Sequence, residues 1–188
     1  MKMRLLSKLE IRGLKREEFG EAMNILNNEL KIRVRDNKFL FEKFKEFPQF
    51  FIGLFLDEEL IGVICGFPRD DYLLISEIAI DERFQGRGFG EKLINEFEKI
   101  AKEKYKRINA GAEDEVIGFY KKLNYKPFLL IQFKKEDYNE DDFSNFKILN
   151  IKDYGFELEV KNCNLKELNK LRKLYHKANL QYIFTKDI

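Results

Sequence analysis

The strongest chemical signal in the chain is Gln85-Gly86-Arg87-Gly88-Phe89-Gly90, placed directly after an apolar run and directly before an amphipathic one. Glycine lets the backbone bend sharply and approach a ligand with no Cβ in the way. At the start of a helix the first amides lack an intrahelical acceptor, and the dipole turns its positive end outward. Together these describe an anion site, best suited to a phosphate or diphosphate. Three glycine-rich designs compete for it. The dinucleotide pattern Gly-x-Gly-x-x-Gly fails in both frames, because the sixth position is Glu91 counted from Gly86 and Leu93 counted from Gly88. A nucleoside-triphosphate loop needs Lys-Ser/Thr after its last glycine, whereas Gly90 is followed by Glu91-Lys92-Leu93. What remains is a loop that grips a diphosphate without a metal or a lysine clamp, and coenzyme A carries such a group.

A second candidate lies just upstream. Glu77 is the one formal charge in the run Leu73-Leu74-Ile75-Ser76-Glu77-Ile78-Ala79-Ile80. An ionised carboxylate in an apolar strand is costly unless it is paired. It is therefore either a general base for an ammonium nucleophile, directly or through water, or a structural carboxylate held by a lysine or by backbone amides. His176, the only histidine, stands among lysines and reads as solvated or capping. Lys166, Lys170, Lys173 and Lys177 form a basic stripe that is usually a solvated face.

These residues carry a family resemblance. Gln85-x-x-Gly88-x-Gly90 resembles the (Arg/Gln)-x-x-Gly-x-(Gly/Ala) motif of the GCN5-related N-acetyltransferases. Ile78-Ala79-Ile80-Asp81 resembles the strand that leads into it. Further on, Phe119-Tyr120-Lys121-Lys122-Leu123-Asn124-Tyr125 is similar to the family's Phe-Tyr-x-Lys-Leu-Gly-Phe segment. The resemblance spans roughly residues 9–134. It implies acetyl-coenzyme A as co-substrate and no metal. The amides of Arg87, Gly88, Phe89 and Gly90 would hold the diphosphate, with Gly86 in the same cofactor-binding loop and Gln85 supporting it. The strand at Ile78, Ala79 and Ile80 would hold the pantetheine arm, and Tyr120 would protonate the departing thiolate. Glu113 stands near the position where many members carry a cofactor-touching asparagine, and it is also the alternative to Glu77 as base. Asn124 replaces the family's glycine. Asparagine is the next best residue for the positive φ that a helix C-terminus requires there.

The elements that must position these residues are legible from periodicity. Strands are expected at residues 9–12, 51–56, 60–67, 73–80, 107–112 and 127–133. Helices are expected at 15 to about 30, 36–47, 90 to about 104 and 115–124. Asp36 is set to cap the second helix and Pro48 to end it. The order β-α-α-β-β-β-α-β-α-β implies a mixed α/β fold with a mostly antiparallel sheet flanked by helices, occupying residues 1–134. Phe39, Phe41, Phe44, Phe47, Phe50 and Phe51 are mostly core, with one or two expected to border the acceptor. Residues 135–188 read as a β-β-α-β extension packed on the main domain, covering the acceptor side or forming a homodimer contact. After a polar loop at 135–142 it has a hairpin of strands 146–151 and 156–160, a helix at 164–179 and a short strand at 181–184.

Bulk properties narrow the partners. The 35 basic and 33 acidic side chains among 188 residues leave a formal charge of +2, which gives no general attraction to nucleic acid or membrane. No apolar run is long enough to span a bilayer. The opening Met1-Lys2-Met3-Arg4-Leu5-Leu6 is too short in its apolar part for a secretory signal. Cys65 and Cys163 are too few for a disulfide framework or a zinc site, which fits a reduced cytoplasmic setting. The expected activity is acetyl transfer from acetyl-coenzyme A to a small-molecule or peptide amine. The alternatives are a non-catalytic coenzyme A-binding module, or an adaptor using the C-terminal helix to bind RNA or protein.

Overall fold

The computed structural model describes residues 8–30 and 36–188, so the opening six residues read above lie outside the described part. Among the described residues there are five α-helices and nine strands. The chain divides into two compact units, one running to Ile108 and including Ile188, the other Asn109–Asp187.

In the first unit, β1 (Leu9–Gly13), β2 (Phe51–Leu56), β3 (Glu59–Arg69) and β4 (Tyr72–Ile80) form an antiparallel sheet in that order. The β2–β3 turn places Asp57 and Glu58 at φ 50° and 74°. Positive φ at both central residues is the mirror-image turn whose twist matches that of the strands it joins. α1 (Phe19–Glu29) and α2 (Asn37–Glu46) cover one face of this sheet. Their Phe19, Met23, Leu26, Leu40 and Phe44 pack with Phe51, Val63, Cys65 and Ala79 of the strands. Asp36 caps α2 by accepting from the Lys38 amide. α3 (Phe89–Ala101) covers the other face, with Leu93 against Gly62 and Phe97 against Gly66. A Cβ on Gly66 would meet the Phe97 ring at 2.6 Å, so the helix lies close because the strand has glycine there.

The second unit takes up the last part of β5 (Arg107–Gly111), followed by α4 (Ile117–Lys122), β6 (Lys126–Gln132), β7 (Ile148–Lys152), β8 (Gly155–Glu159), α5 (Leu165–Leu174) and β9 (Asn179–Asp187). The strand order is β5-β9-β6-β8-β7. The extension thus has the β-β-α-β sequence expected of it, with two differences. α5 stops at Leu174, short of the expected 179, because Tyr175 turns inward onto Phe143 and Tyr138 and donates its hydroxyl to the Asp142 carbonyl at 3.0 Å. β9 is nine residues long and pairs with β6 from Lys126↔Thr185 to Gln132↔Asn179. Its buried Leu180, Tyr182 and Phe184 alternate with partly exposed neighbours, the period-two pattern of a strand buried on one face. The polar loop before β7 is held by Phe143, which is fully buried among Phe133, Phe156 and Tyr175. No helix among the described residues is long and apolar enough to cross a membrane.

Candidate active site

β4 carries a bulge that decides where Glu77 points. Ile75 pairs with Gly66 and Glu77 with Cys65, which leaves Ser76 as the extra residue. Gly66 lies against α3 and Cys65 against the α1–α2 layer. A one-residue slip exchanges the two faces of a strand. Leu73 and Ile75 therefore face α3, whereas Glu77 and Ala79 face α1 and α2. Without the bulge Glu77 would lie in the α3 core. With it, the carboxylate is half-buried and accepts from the Ser76 hydroxyl at 3.4 Å. Beyond the bulge β4 resumes its ladder, with Ile78, Ala79 and Ile80 opposite Ile64, Val63 and Gly62.

The glycine segment follows a single helical turn at Glu82–Phe84. Asp81 caps that turn by accepting from the Arg83 amide, and the Arg83 guanidinium holds its carboxyl below the usual range. Gly86 and Gly88 have φ +73° and +77°, and Gly88 is the N-cap of α3. Both values lie in the left-handed region that side chains with a Cβ rarely adopt. The first backbone bond into α3 is Lys92 N–H to the Gly88 carbonyl at 3.2 Å. Among the described residues, none accepts from the amides of Arg87, Gly88, Phe89 or Gly90. The segment is exposed from Gln85 to Gly88, and nothing approaches either glycine where a side chain would stand. The result is a set of free donors at the positive end of a helix. The Arg87 guanidinium donates to the Arg83 carbonyl at 3.2 Å and lies 5.4 Å from the Phe84 ring.

Gln85 is fastened from two sides. Its Nε2 donates to the Ile80 carbonyl and to the Glu29 carboxylate, both at 2.8 Å. The other oxygen of Glu29 accepts from the Glu82 amide at 3.1 Å. Sequence reasoning missed Glu29. It lies 56 residues from Gln85, and no local pattern marks it. The bulge did leave a signal, since two consecutive polar residues, Ser76-Glu77, interrupt an otherwise apolar strand.

In the second unit, Tyr120 points inward from α4, as its helical phase requires, and is 2% exposed. Its ring stacks on Phe184 at 5.3 Å and meets Phe119 and Tyr125 edge-on at 5.4 Å. Asn124 takes φ 64° just past the end of α4. The Tyr125 amide returns to the Tyr120 carbonyl and the Asn124 amide to that of Lys121, both at 3.1 Å. That is a complete Schellman closure, including the contact between its two flanking apolar residues, Tyr120 and Tyr125. Glu113 is exposed at the start of the turn Asp114–Val116, and the neighbouring Asp114 pairs with Arg172 at 2.8 Å.

Within the first unit the fold thus joins a free-amide turn to a strand with a half-buried carboxylate, while the second unit holds a buried tyrosine on a firmly capped helix. A sequence profile described as the acetyltransferase (GNAT) family matches residues 12–125. The chain belongs to that family. The matched span contains every site residue named above, and members are acetyltransferases that use acetyl-coenzyme A.

Solved structures agree on the fold. The Ard1 protein of Thermoplasma volcanium is similar at TM-score 0.64 and 16% identity, over 96% of this chain and 97% of that one. A GNAT family acetyltransferase from Elizabethkingia anophelis, with acetyl-coenzyme A bound, is similar at TM-score 0.57 and 16% identity, over 96% and 98%. The ribosomal-protein-S18-alanine N-acetyltransferase of Escherichia coli is similar at TM-score 0.60 and 12% identity, over 96% and 94%. A comparison with curated proteins returns no match. The acetyltransferase assignment displaces the non-catalytic reading. The basic stripe of the adaptor reading is partly neutralised, since Lys170 pairs with Glu167 and Lys177 with Asp137.

Proposed function

We propose that this acetyltransferase moves the acetyl group of acetyl-coenzyme A onto a primary amine by direct attack in a ternary complex. The observation that carries the proposal is the run of amides at Arg87–Gly90 with no acceptor among the described residues, in a turn that has two left-handed glycines. Donors fixed before the ligand arrives hold a diphosphate at little reorganisation cost. The β4 backbone at Ile78 and Ile80 takes the extended pantetheine arm as an added strand would.

The chemistry is assigned as follows. The acceptor ammonium gives a proton to Glu77 or to a water it holds, and the free amine attacks the thioester carbonyl. A β4 amide near Ile78 stabilises the oxyanion. As the C–S bond breaks, the thiolate takes the proton of the Tyr120 hydroxyl, and the second proton leaving the acceptor nitrogen restores that hydroxyl through solvent. Glu113 is retained as the alternative base. No step calls for a metal. An amine acceptor, small molecule or peptide, fits the Escherichia coli relative, which is named for acetylating an alanine. Cys65 and Cys163 are buried and outside any disulfide, which fits work in a reducing cytoplasm.

Two measurements test this reading. An acceptor screen that follows thiol release from acetyl-coenzyme A is expected to find at least one amine that gives turnover, and failure across peptide N-termini, lysines, polyamines and amino acids would contradict it. Gly88→Glu adds strain and negative charge at the loop and is expected to abolish coenzyme A binding in calorimetry. Wild-type affinity in that variant would remove the diphosphate assignment.

A further inference from the structure

We infer that Glu29, at the C-terminal end of α1, is a positioning residue for the diphosphate loop. This rests on the reading of Gln85–Gly90 as the coenzyme A site. Three bonds carry the inference. One carboxylate oxygen of Glu29 accepts from the Glu82 amide at 3.1 Å, and the other accepts from Gln85 Nε2 at 2.8 Å. The same Nε2 donates to the Ile80 carbonyl at 2.8 Å. Glu29 thus grips the start and the end of the single turn that launches the glycine segment, and Gln85 ties that segment to the last residue of β4.

A carboxylate close to a diphosphate site would repel the ligand if its only role were charge. Here both oxygens accept from loop donors, so its negative charge is directed at the turn. Bonds to an ionised acceptor are about twice as strong as neutral ones. The loop itself has two glycines at positive φ, and glycine-containing segments lose the most freedom on ordering. An anchor from outside the loop offsets that loss before the ligand binds, which is the form preorganisation takes here. α1 is a firm base for the anchor, because its Ala22, Met23 and Leu26 are fully or almost fully buried against the sheet. The residue on α1 that shapes the donor loop therefore belongs to one of the two helices covering the Glu77 face.

The test compares Glu29→Ala and Glu29→Gln with wild type, using two probes. Calorimetry with coenzyme A is expected to show affinity about tenfold weaker in Glu29→Ala, a loss that corresponds to one charge-assisted bond. Glu29→Gln is expected to be similarly weak, because one of the two accepting oxygens becomes an NH2 group that faces a loop donor. Ligand-observed NMR with pantetheine, which has no diphosphate, is expected to show unchanged affinity in both variants. Gln85→Ala combined with Glu29→Ala is expected to cost little more than either alone. Wild-type coenzyme A affinity in both Glu29 variants would overturn the inference, as would equal weakening towards pantetheine, which would mark a general structural role. Gly88→Glu separates this outcome from failure of the site itself: if that variant binds coenzyme A normally, the loop reading falls and not only the role of Glu29.

Discussion

At the scale of single residues, the two proposed proton transfers rest on different kinds of support. Tyr120 is fixed by packing, its ring held by Phe119, Tyr125 and Phe184. Removing its hydroxyl leaves those contacts in place. Tyr120→Phe is therefore expected to lower kcat about 10²-fold or more, as loss of a general acid does, with coenzyme A affinity almost unchanged. Unaltered turnover would remove the role. The position of Tyr120 was legible because a helical period and a motif agreed on it. The face occupied by Glu77 was not, because the polar pair Ser76-Glu77 marks an interruption in the strand but not the face to which a bulge there turns each side chain. A residue away from the site supplies a pH test. The Arg12 guanidinium holds Glu18 from two sides at 2.6 and 2.8 Å, and the Lys15 amide donates to it as well, which lowers its carboxyl to about 2. A carboxyl whose pKa is lower folded than unfolded stabilises the protein above its unfolded value, and that stabilisation is lost as pH falls towards the folded value. Denaturant midpoints are thus expected to decline below about pH 4.5 in wild type. Glu18→Gln is expected to be about 1–2 kcal/mol less stable at neutral pH and to show a shallower decline. Parallel curves would contradict the assignment.

At the scale of elements, the local grammar of the chain was mostly readable. Asp36 caps α2 as expected, and Asn164 caps α5 by accepting from the Glu167 amide at 2.9 Å. The hairpin at Asp57-Glu58 formed, even though neither residue is glycine. What stayed hidden depends on contacts distant in sequence. The early end of α5 follows from Tyr175 meeting Phe143, and the full length of β9 follows from its pairing with β6. Gly155 shows the same dependence. It has φ +150°, and a Cβ there would collide with the Ile131 carbonyl of β6. Gly155→Ala is therefore expected to cost about 2–4 kcal/mol, from backbone strain and a displaced β6–β8 ladder. A loss under about 0.5 kcal/mol by chemical denaturation, the size of a neutral surface change, would show that the hairpin yields easily.

At the scale of the whole molecule, the charge balance gave no reason to expect a general polyanion binder, and the family follows from a profile that covers residues 12–125. Recognition worked because the glycine loop and the tyrosine helix are short local motifs. The acceptor was not legible, since no short pattern in the sequence marks the side chains that would meet it. The account as a whole depends on the main-chain donors of Arg87, Gly88, Phe89 and Gly90. The most direct test is a crystal structure of the protein with acetyl-coenzyme A. The account predicts diphosphate oxygens within about 2.7–3.2 Å of those amides, the usual hydrogen-bond range, with Gln85 still bound to Glu29 and Ile80. A diphosphate bound elsewhere, with those amides facing only water, would contradict it.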